Sequence, residues 1–188
     1  TNQFFEPPLS IPSVFYPQLG LYSSHDQHTI KKHLKIIAHS HISGLIVDWD
    51  GPSRQQFAES DENFIDVSFQ LITELAQQFE IKIGIFLTDY YQRTSETIIQ
   101  DLSYYLKTYS NRSTCLKFND KPVVFADESI DPTIIDYFSS HISFFASGTK
   151  VHEIFDSYEN GFVGFTTFAS GLKRSALDDP TIWKSLST

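Results

Sequence analysis

The chain alternates two kinds of hydrophobic pattern. Short, mostly apolar runs occur at Gly44–Trp49, Ile81–Thr88, Pro122–Ala126, Ile142–Ala146 and Phe162–Thr167. Runs of this length, bounded by turn residues, predict buried β-strands. Between them the apolar positions recur at helical spacing. Ile30, Leu34, Ile37 and Ala38 predict a helix from an Asp26 N-cap to about His41. Ile65, Phe69, Ile72, Ala76 and Phe79 predict a second, with Asp61 and Glu62 in its first turn. Ile98, Leu102, Tyr105 and Tyr109 predict a third after Thr94. Shorter helices are expected at Pro132–Ser139 and Val151–Tyr158, the latter ended by Asn160-Gly161, and Trp183 falls in a last helical piece. Asn119-Asp120 predicts a turn.

Strand, helix, strand, helix is the order of a parallel sheet with covering helices, whose strands are buried on both faces. No glycine-rich turn follows a strand, so a dinucleotide or P-loop site is not expected. The fold class predicted is therefore α/β, a TIM-type (β/α) barrel. Such a barrel needs eight strands and about 250 residues. Five strands are clear, with a sixth possible at Ser13–Tyr16, so the barrel is expected to be incomplete, or its remaining strands to lie past Thr188. Residues 1–188 read as one domain. Residues 1–24, with Pro7, Pro8, Pro12 and Pro17, read as an extended N-terminal segment. Unclosed sheet edges pair readily, so a homodimer or a protein partner covering one is an expected partner.

The bulk numbers narrow the partners. With 14 Lys and Arg against 23 Asp and Glu, the formal net charge is −9, which disfavours nucleic acid. No apolar run is long enough to span a membrane. There is no Met and the first residue is Thr1, so residues upstream, a signal peptide or anchor among them, are an expectation. Cys115 is the sole cysteine, which excludes an internal disulfide. The seven histidines lack the spacing of a metal pair on one helix face, so no metal and no cofactor is expected. Asn111-Arg112-Ser113 is an N-glycosylation sequon, a modest pointer to the secretory lumen or the cell exterior.

The chemistry-bearing residues collect at the strand ends: Asp48, Trp49, Asp50, Asp89, Tyr90, Asp127, Glu128, Thr166 and Thr167. Strand C-terminal ends are where barrels of this type build their sites. Paired carboxylates beside aromatic platforms suit glycoside chemistry. The same residues also read as helix caps and core. The contacts expected for a sugar are Trp49 as a stacking platform, Asp50 and Asp127 as hydroxyl acceptors, and Tyr90 and Arg93 as donors.

Several stretches resemble the endo-α-1,2-mannosidase family, glycoside hydrolase family 99. They are Phe15-Tyr-Pro17, Leu19-Gly-x-Tyr-Ser-Ser-x-Asp26, Gly44–Pro52 and Gly161-Phe-x-Gly-x-x-Thr-Phe-Ala169, with Trp183 downstream. Tyr90 and Arg93 fall where the family has a Glu-Pro-Tyr motif followed by an arginine. The resemblance implies a TIM-type barrel acting on α-mannosides as a retaining, internally cutting enzyme, with Trp49 facing the sugar. Two departures matter. Thr88 and Asp89 replace the motif's Glu and Pro, and the family's Asn-Glu-Trp-His-Glu segment with its paired glutamates has no counterpart here. The catalytic residues are accordingly unknown. One expectation is a divergent, non-catalytic domain, a pseudoenzyme binding glycan or protein. The alternative is an active retaining endo-α-mannosidase whose glutamates lie beyond this chain. A structural α/β domain without a ligand is a third.

Overall fold

The computed structural model describes residues 20, 22–52, 64–87, 90, 93–127, 130–148 and 161–167. The order of elements is α1 (Gln27–His39), β1 (Gly44–Trp49), α2 (Phe64–Ala76), a 3₁₀ turn (Gln77–Phe79), β2 (Lys82–Leu87), α3 (Ser95–Thr108), β3 (Lys117–Phe118), β4 (Lys121–Asp127), α4 (Pro132–Phe138), β5 (Ser143–Gly148) and β6 (Gly164–Thr167). The predicted N-terminal strand, the Val151–Tyr158 helix, Asp61, Glu62 and Trp183 lie outside the described residues.

Three of the helices start on side-chain caps that the sequence announces. Asp26 accepts from the His28 N–H, Asp131 from the Thr133 N–H, and Thr94 forms a reciprocal capping box with Thr97. The Asn119-Asp120 turn has both residues at positive φ, 49° and 63°. It closes a two-residue hairpin between β3 and β4, an antiparallel strand that apolar patterning did not predict.

The parallel strands lie in chain order, β1-β2-β4-β5-β6. Parallel neighbours joined by right-handed crossovers in unbroken order place every helix on the same side. An open doubly wound sheet would reverse its order partway. This arrangement is the wall of an incomplete (β/α) barrel, as the patterning predicts.

Register then sorts the side chains into two faces. Val47 pairs with Ile85, Ile85 with Val124, and Val124 with Phe144. This set points at the helices and forms the core with Leu34, Phe69, Leu102 and Ile135. The opposite face is layered, as barrel interiors are. Its lower layer is Ile46 beside Gly84 and Val123 beside Ser143. Its middle layer is Asp48, Phe86, Phe125, Phe145 and Gly164. Both glycines make room: a Cβ on Gly84 would stand 2.9 Å from Ile46 Cδ1, and one on Gly164 2.6 Å from the Phe145 ring.

Two expectations are corrected here. The strands are not all buried on both faces, because Ile46 is 41% exposed and Asp48 is exposed on β1. Among the described residues, the helices cover the outer side of the sheet. The buried stripe of α2 keeps the predicted Phe69 and Ala76, with Ile72 and Phe79 packed partly buried against the core, but also takes in Asp66, Thr73 and Leu75, and Ile65 is on the rim. Polar residues hold two inside positions because each has partners. Asp66 accepts three hydrogen bonds, described below. Thr73 donates to the Gln70 carbonyl and accepts from Arg112.

Candidate functional site

The layer above Phe125 and Phe145 is polar. Asp127 pairs with Ser147 and Ser147 with Thr166, all on the inner face at the C-terminal ends of β4, β5 and β6. Arg93, just before α3, reaches this layer from the connection after β2. Its Nη1 stands 3.8 Å from Asp127 Oδ1. The Arg93 side chain is 6% exposed, while Asp127 is 35% exposed. The guanidinium thus backs the carboxylate from inside and leaves the carboxylate facing the mouth. The structure brings Arg93 and Asp127 together from separate βα units.

Asp50 follows β1 and is buried, at 3% exposure. Its position depends on the next residue. Gly51 has φ +97°, and a Cβ there would lie 2.5 Å from Asp101 Oδ1. Only glycine lets the chain turn this tightly against that carboxylate. Asp101, on α3, is itself buried and accepts from the Tyr90 hydroxyl at 2.6 Å. The Arg93 N–H donates to the Tyr90 carbonyl at 3.1 Å. Tyr90 therefore ties the loop after β2 to α3, and Gly51 lets the chain after β1 pass close to the same Asp101.

Two predicted contacts are placed elsewhere. Trp49 is fully buried, so the stacking platform is corrected. Strand alternation sends it, with Leu45 and Val47, toward the helices. Its indole N–H donates to Asp66 Oδ1 at 3.1 Å, and its ring stands 5.8 Å from Tyr105 and 6.2 Å from Phe69. Tyr90 is 7% exposed, and its hydroxyl proton goes to Asp101 rather than into the mouth. Its part is to position the loop.

Asp66 is a second buried hub. Besides Trp49, the Tyr104 hydroxyl donates to it at 2.8 Å and the Tyr109 hydroxyl at 2.8 Å. Burial first, and the Asp66 carboxylate next, push both phenols above their ordinary pKa. Both rings stay protonated donors. Sequence reasoning missed Asp66, Asp101 and Ser147. A signal was present for two of them: Asp66 stands three residues before Phe69, and Asp101 three after Ile98, each on an apolar stripe.

The remaining candidates sit apart. Cys115 is buried, and burial pushes its thiol pKa up, away from reactivity. Asn111 is exposed in the turn after α3, beside the start of β2, at the end of the sheet opposite the mouth. Among the described residues no three His, Cys, Asp or Glu are grouped to hold a metal, and no helix is long and apolar enough to cross a membrane.

Comparisons with known proteins agree on one family. A mouse glycoprotein endo-alpha-1,2-mannosidase is 28% identical over 116 residues, which is 61% of this chain and 24% of that protein. A human glycoprotein endo-alpha-1,2-mannosidase-like protein is 25% identical over 114 residues, again 61% of this chain and 24% of that one. The chain spans about a quarter of the length of these relatives. The GH99 endo-alpha-mannosidase structure from Bacteroides thetaiotaomicron superposes with a TM-score of 0.72 at 24% identity, covering 95% of this chain and 54% of that one. That likeness shows the fold, a larger form of the same barrel wall. The sequence model of glycosyl hydrolase family 99 matches residues 2–166, most of the chain, and the chain belongs to that family.

Proposed function

We propose that the chain binds a mannose-containing glycan at the C-terminal mouth of its sheet and does not hydrolyse it with its own residues. The observation that carries this reading is the Arg93–Asp127 contact across the strand ends. It holds a half-exposed carboxylate oriented toward solvent. Charged, hydrogen-bonding planar groups are strong partners for sugar hydroxyls. In this reading Asp127 accepts from a hydroxyl, while the buried Arg93 and Asp50 act as positioning groups behind it. The phenylalanine layer beneath, Phe86, Phe125 and Phe145, supplies an apolar floor suited to a sugar face.

The proposal that these residues do not hydrolyse the glycan rests on the sequence. Two-carboxyl glycoside hydrolysis needs both an acid and a nucleophile or base. Thr88 stands where the family motif has its glutamate. Relatives named as mannosidases direct the choice of ligand. The test is calorimetric titration with α-1,2-linked mannobiose and longer mannosides, run beside a chromatographic assay for cleavage. Binding without product is expected, weakened about tenfold or more in Asp127→Asn. Failure to bind overturns the proposal.

One observation favours a second reading, an active retaining endo-α-mannosidase completed by further strands. The sheet's inner face is open at Ile46, and Phe118 on β3 is 43% exposed. Strands covering that face would close the barrel and bring additional carboxylates to the mouth. A second copy or another protein would cover the same edge, which sedimentation distinguishes. Product release in the cleavage assay decides for the enzyme. The sequon and the glycan ligand together favour a lumenal or extracellular setting.

A further inference from the structure

We propose that Ser147 is a specificity contact for a ligand hydroxyl, the partner of Asp127 in gripping two neighbouring hydroxyls of one sugar ring. The inference rests on the glycan reading above and names part of that site. Ser147 is 6% exposed, and its Oγ is shut from solvent with no hydrogen-bond partner among the described residues. Native structures rarely keep such a group, because a hydroxyl withdrawn from water without a partner is unfavourable. The comparison within the same strand is direct. Ser143, on the same inner face four residues earlier, donates its hydroxyl to the Phe118 carbonyl at 2.9 Å. The lower inward serine of β5 is satisfied by the fold, and the upper one is not.

The place of the unsatisfied hydroxyl gives it a use. Register sets Ser147 directly between Asp127 and Thr166 on the inner face, at the C-terminal ends of their strands. Adjacent strands lie about 4.8 Å apart, so the three side chains form one rank within reach of a single ring. A carboxylate only accepts, whereas a serine hydroxyl both donates and accepts. Side by side they complement adjacent hydroxyls of which one donates and the other does either. Arg93, buried behind Asp127, keeps the carboxylate aimed at this rank. The ligand class is therefore a pyranoside with a free vicinal diol.

The test uses the whole chain, α-1,2-mannobiose and its monodeoxy analogues, with calorimetry on wild type, Ser147→Ala and Ser147→Val. Ser147→Ala is expected to bind mannobiose about five- to tenfold more weakly, the value of one hydrogen bond. Ser147→Val, which fills the position with methyl groups, is expected to bind more weakly still. One deoxy position should show equal affinity for wild type and Ser147→Ala, because the hydroxyl that Ser147 meets is already gone. Without sugar, Ser147→Ala should melt no lower than wild type, since only an unpartnered hydroxyl is removed. Unchanged binding in Ser147→Ala overturns the proposal and leaves the glycan reading standing. So does an equal loss with every deoxy analogue, or a variant that no longer folds. If the wild type binds no mannoside, both fall together.

Discussion

The indole of Trp49 and the carboxylate of Asp66, seventeen residues apart in sequence, meet at 3.1 Å inside the core. Their bond ties the C-terminal end of β1 to the first turn of α2. Tyr104 and Tyr109 bring α3 to the same carboxylate. Three elements, β1, α2 and α3, are thus joined through one acceptor. Asp66→Ala strands three donors, of which Trp49 and Tyr109 are buried and Tyr104 is partly buried. The expected loss is about 2 kcal/mol or more, from the unsatisfied groups alone. Asp66→Asn keeps one acceptor oxygen and is expected to fall between. Urea unfolding with near-ultraviolet dichroism at Trp49 measures both. Loss below about 1 kcal/mol in Asp66→Ala would remove the hub from the account.

Trp49→Ala follows from the same geometry. The expected effect is on stability, about 3–5 kcal/mol for a buried tryptophan, rather than on a stacking contact. A binding loss in that variant is interpretable only beside its unfolding curve. Trp49→Phe keeps the ring in the core and drops the N–H. It should retain glycan affinity within about twofold, since no ligand face is altered. A large loss of affinity in Trp49→Phe at unchanged stability would return the ring to the mouth.

Much of this arrangement is legible from residue order, and the misplacements have physical causes. The helix caps at Asp26, Thr94 and Asp131 and the turn at Asn119-Asp120 are local, so the sequence carries them. The burial of Trp49 was readable too. Alternation groups it with Leu45 and Val47, and a barrel strand sends that set to the helices. Position at a strand end favours function, but side-chain parity decides which way the group faces. Asp66 and Asp101 break apolar stripes, which marks a polar residue with buried partners. The partners themselves, Trp49, Tyr90, Tyr104 and Tyr109, are set by tertiary packing that spacing does not encode. Ser147 carries no signal in one sequence, because its neighbours Asp127 and Thr166 become neighbours only through strand register.

Gly51 is the most exacting position of the mouth. Its φ of +97° and the 2.5 Å at which an added Cβ would meet Asp101 Oδ1 act together. Gly51→Ala is expected to cost about 2 kcal/mol or more, from the strained backbone and the crowded carboxylate. It also displaces Asp50, so glycan affinity should fall alongside. Tyr90→Phe removes the hydroxyl that holds Asp101 at 2.6 Å. Its expected cost is about 1–2 kcal/mol, with a smaller effect on affinity. If Gly51→Ala melts and binds like wild type, the turn is not what places Asp50.

Acid should weaken the helix caps. Hydrogen bonding holds Asp26 below its ordinary value of 3.8, through the Thr29 hydroxyl first and the His28 N–H next. The Thr133 N–H, then its hydroxyl, do the same for Asp131. A carboxyl whose folded pKa is depressed contributes its stability above the unfolded value. That contribution is lost as pH falls through the depressed one. Melting temperature should therefore drop below about pH 4, and Asp26→Asn with Asp131→Asn should flatten that drop. An equal acid slope in the double variant would assign the loss to other carboxylates.

Asn111 gives a prediction that separates the two ends of the sheet. The residue is exposed in the turn after α3, and the neighbouring Ser113 carbonyl accepts from Lys82 Nζ at the start of β2. Strands run from this end toward Asp127 and Ser147, so a glycan on Asn111 would leave from the face opposite the mouth. Expression through a eukaryotic secretory route should yield a glycosylated chain. Its mobility should shift on N-glycosidase treatment and in Asn111→Gln or Ser113→Ala. Mannoside affinity should be equal with and without the modification, because the two sites are separated by the length of the strands. An unmodified chain after passage through that route would show that the sequon is not used. A modified chain with altered affinity would place Asn111 near the ligand, which contradicts the strand direction on which the mouth assignment depends.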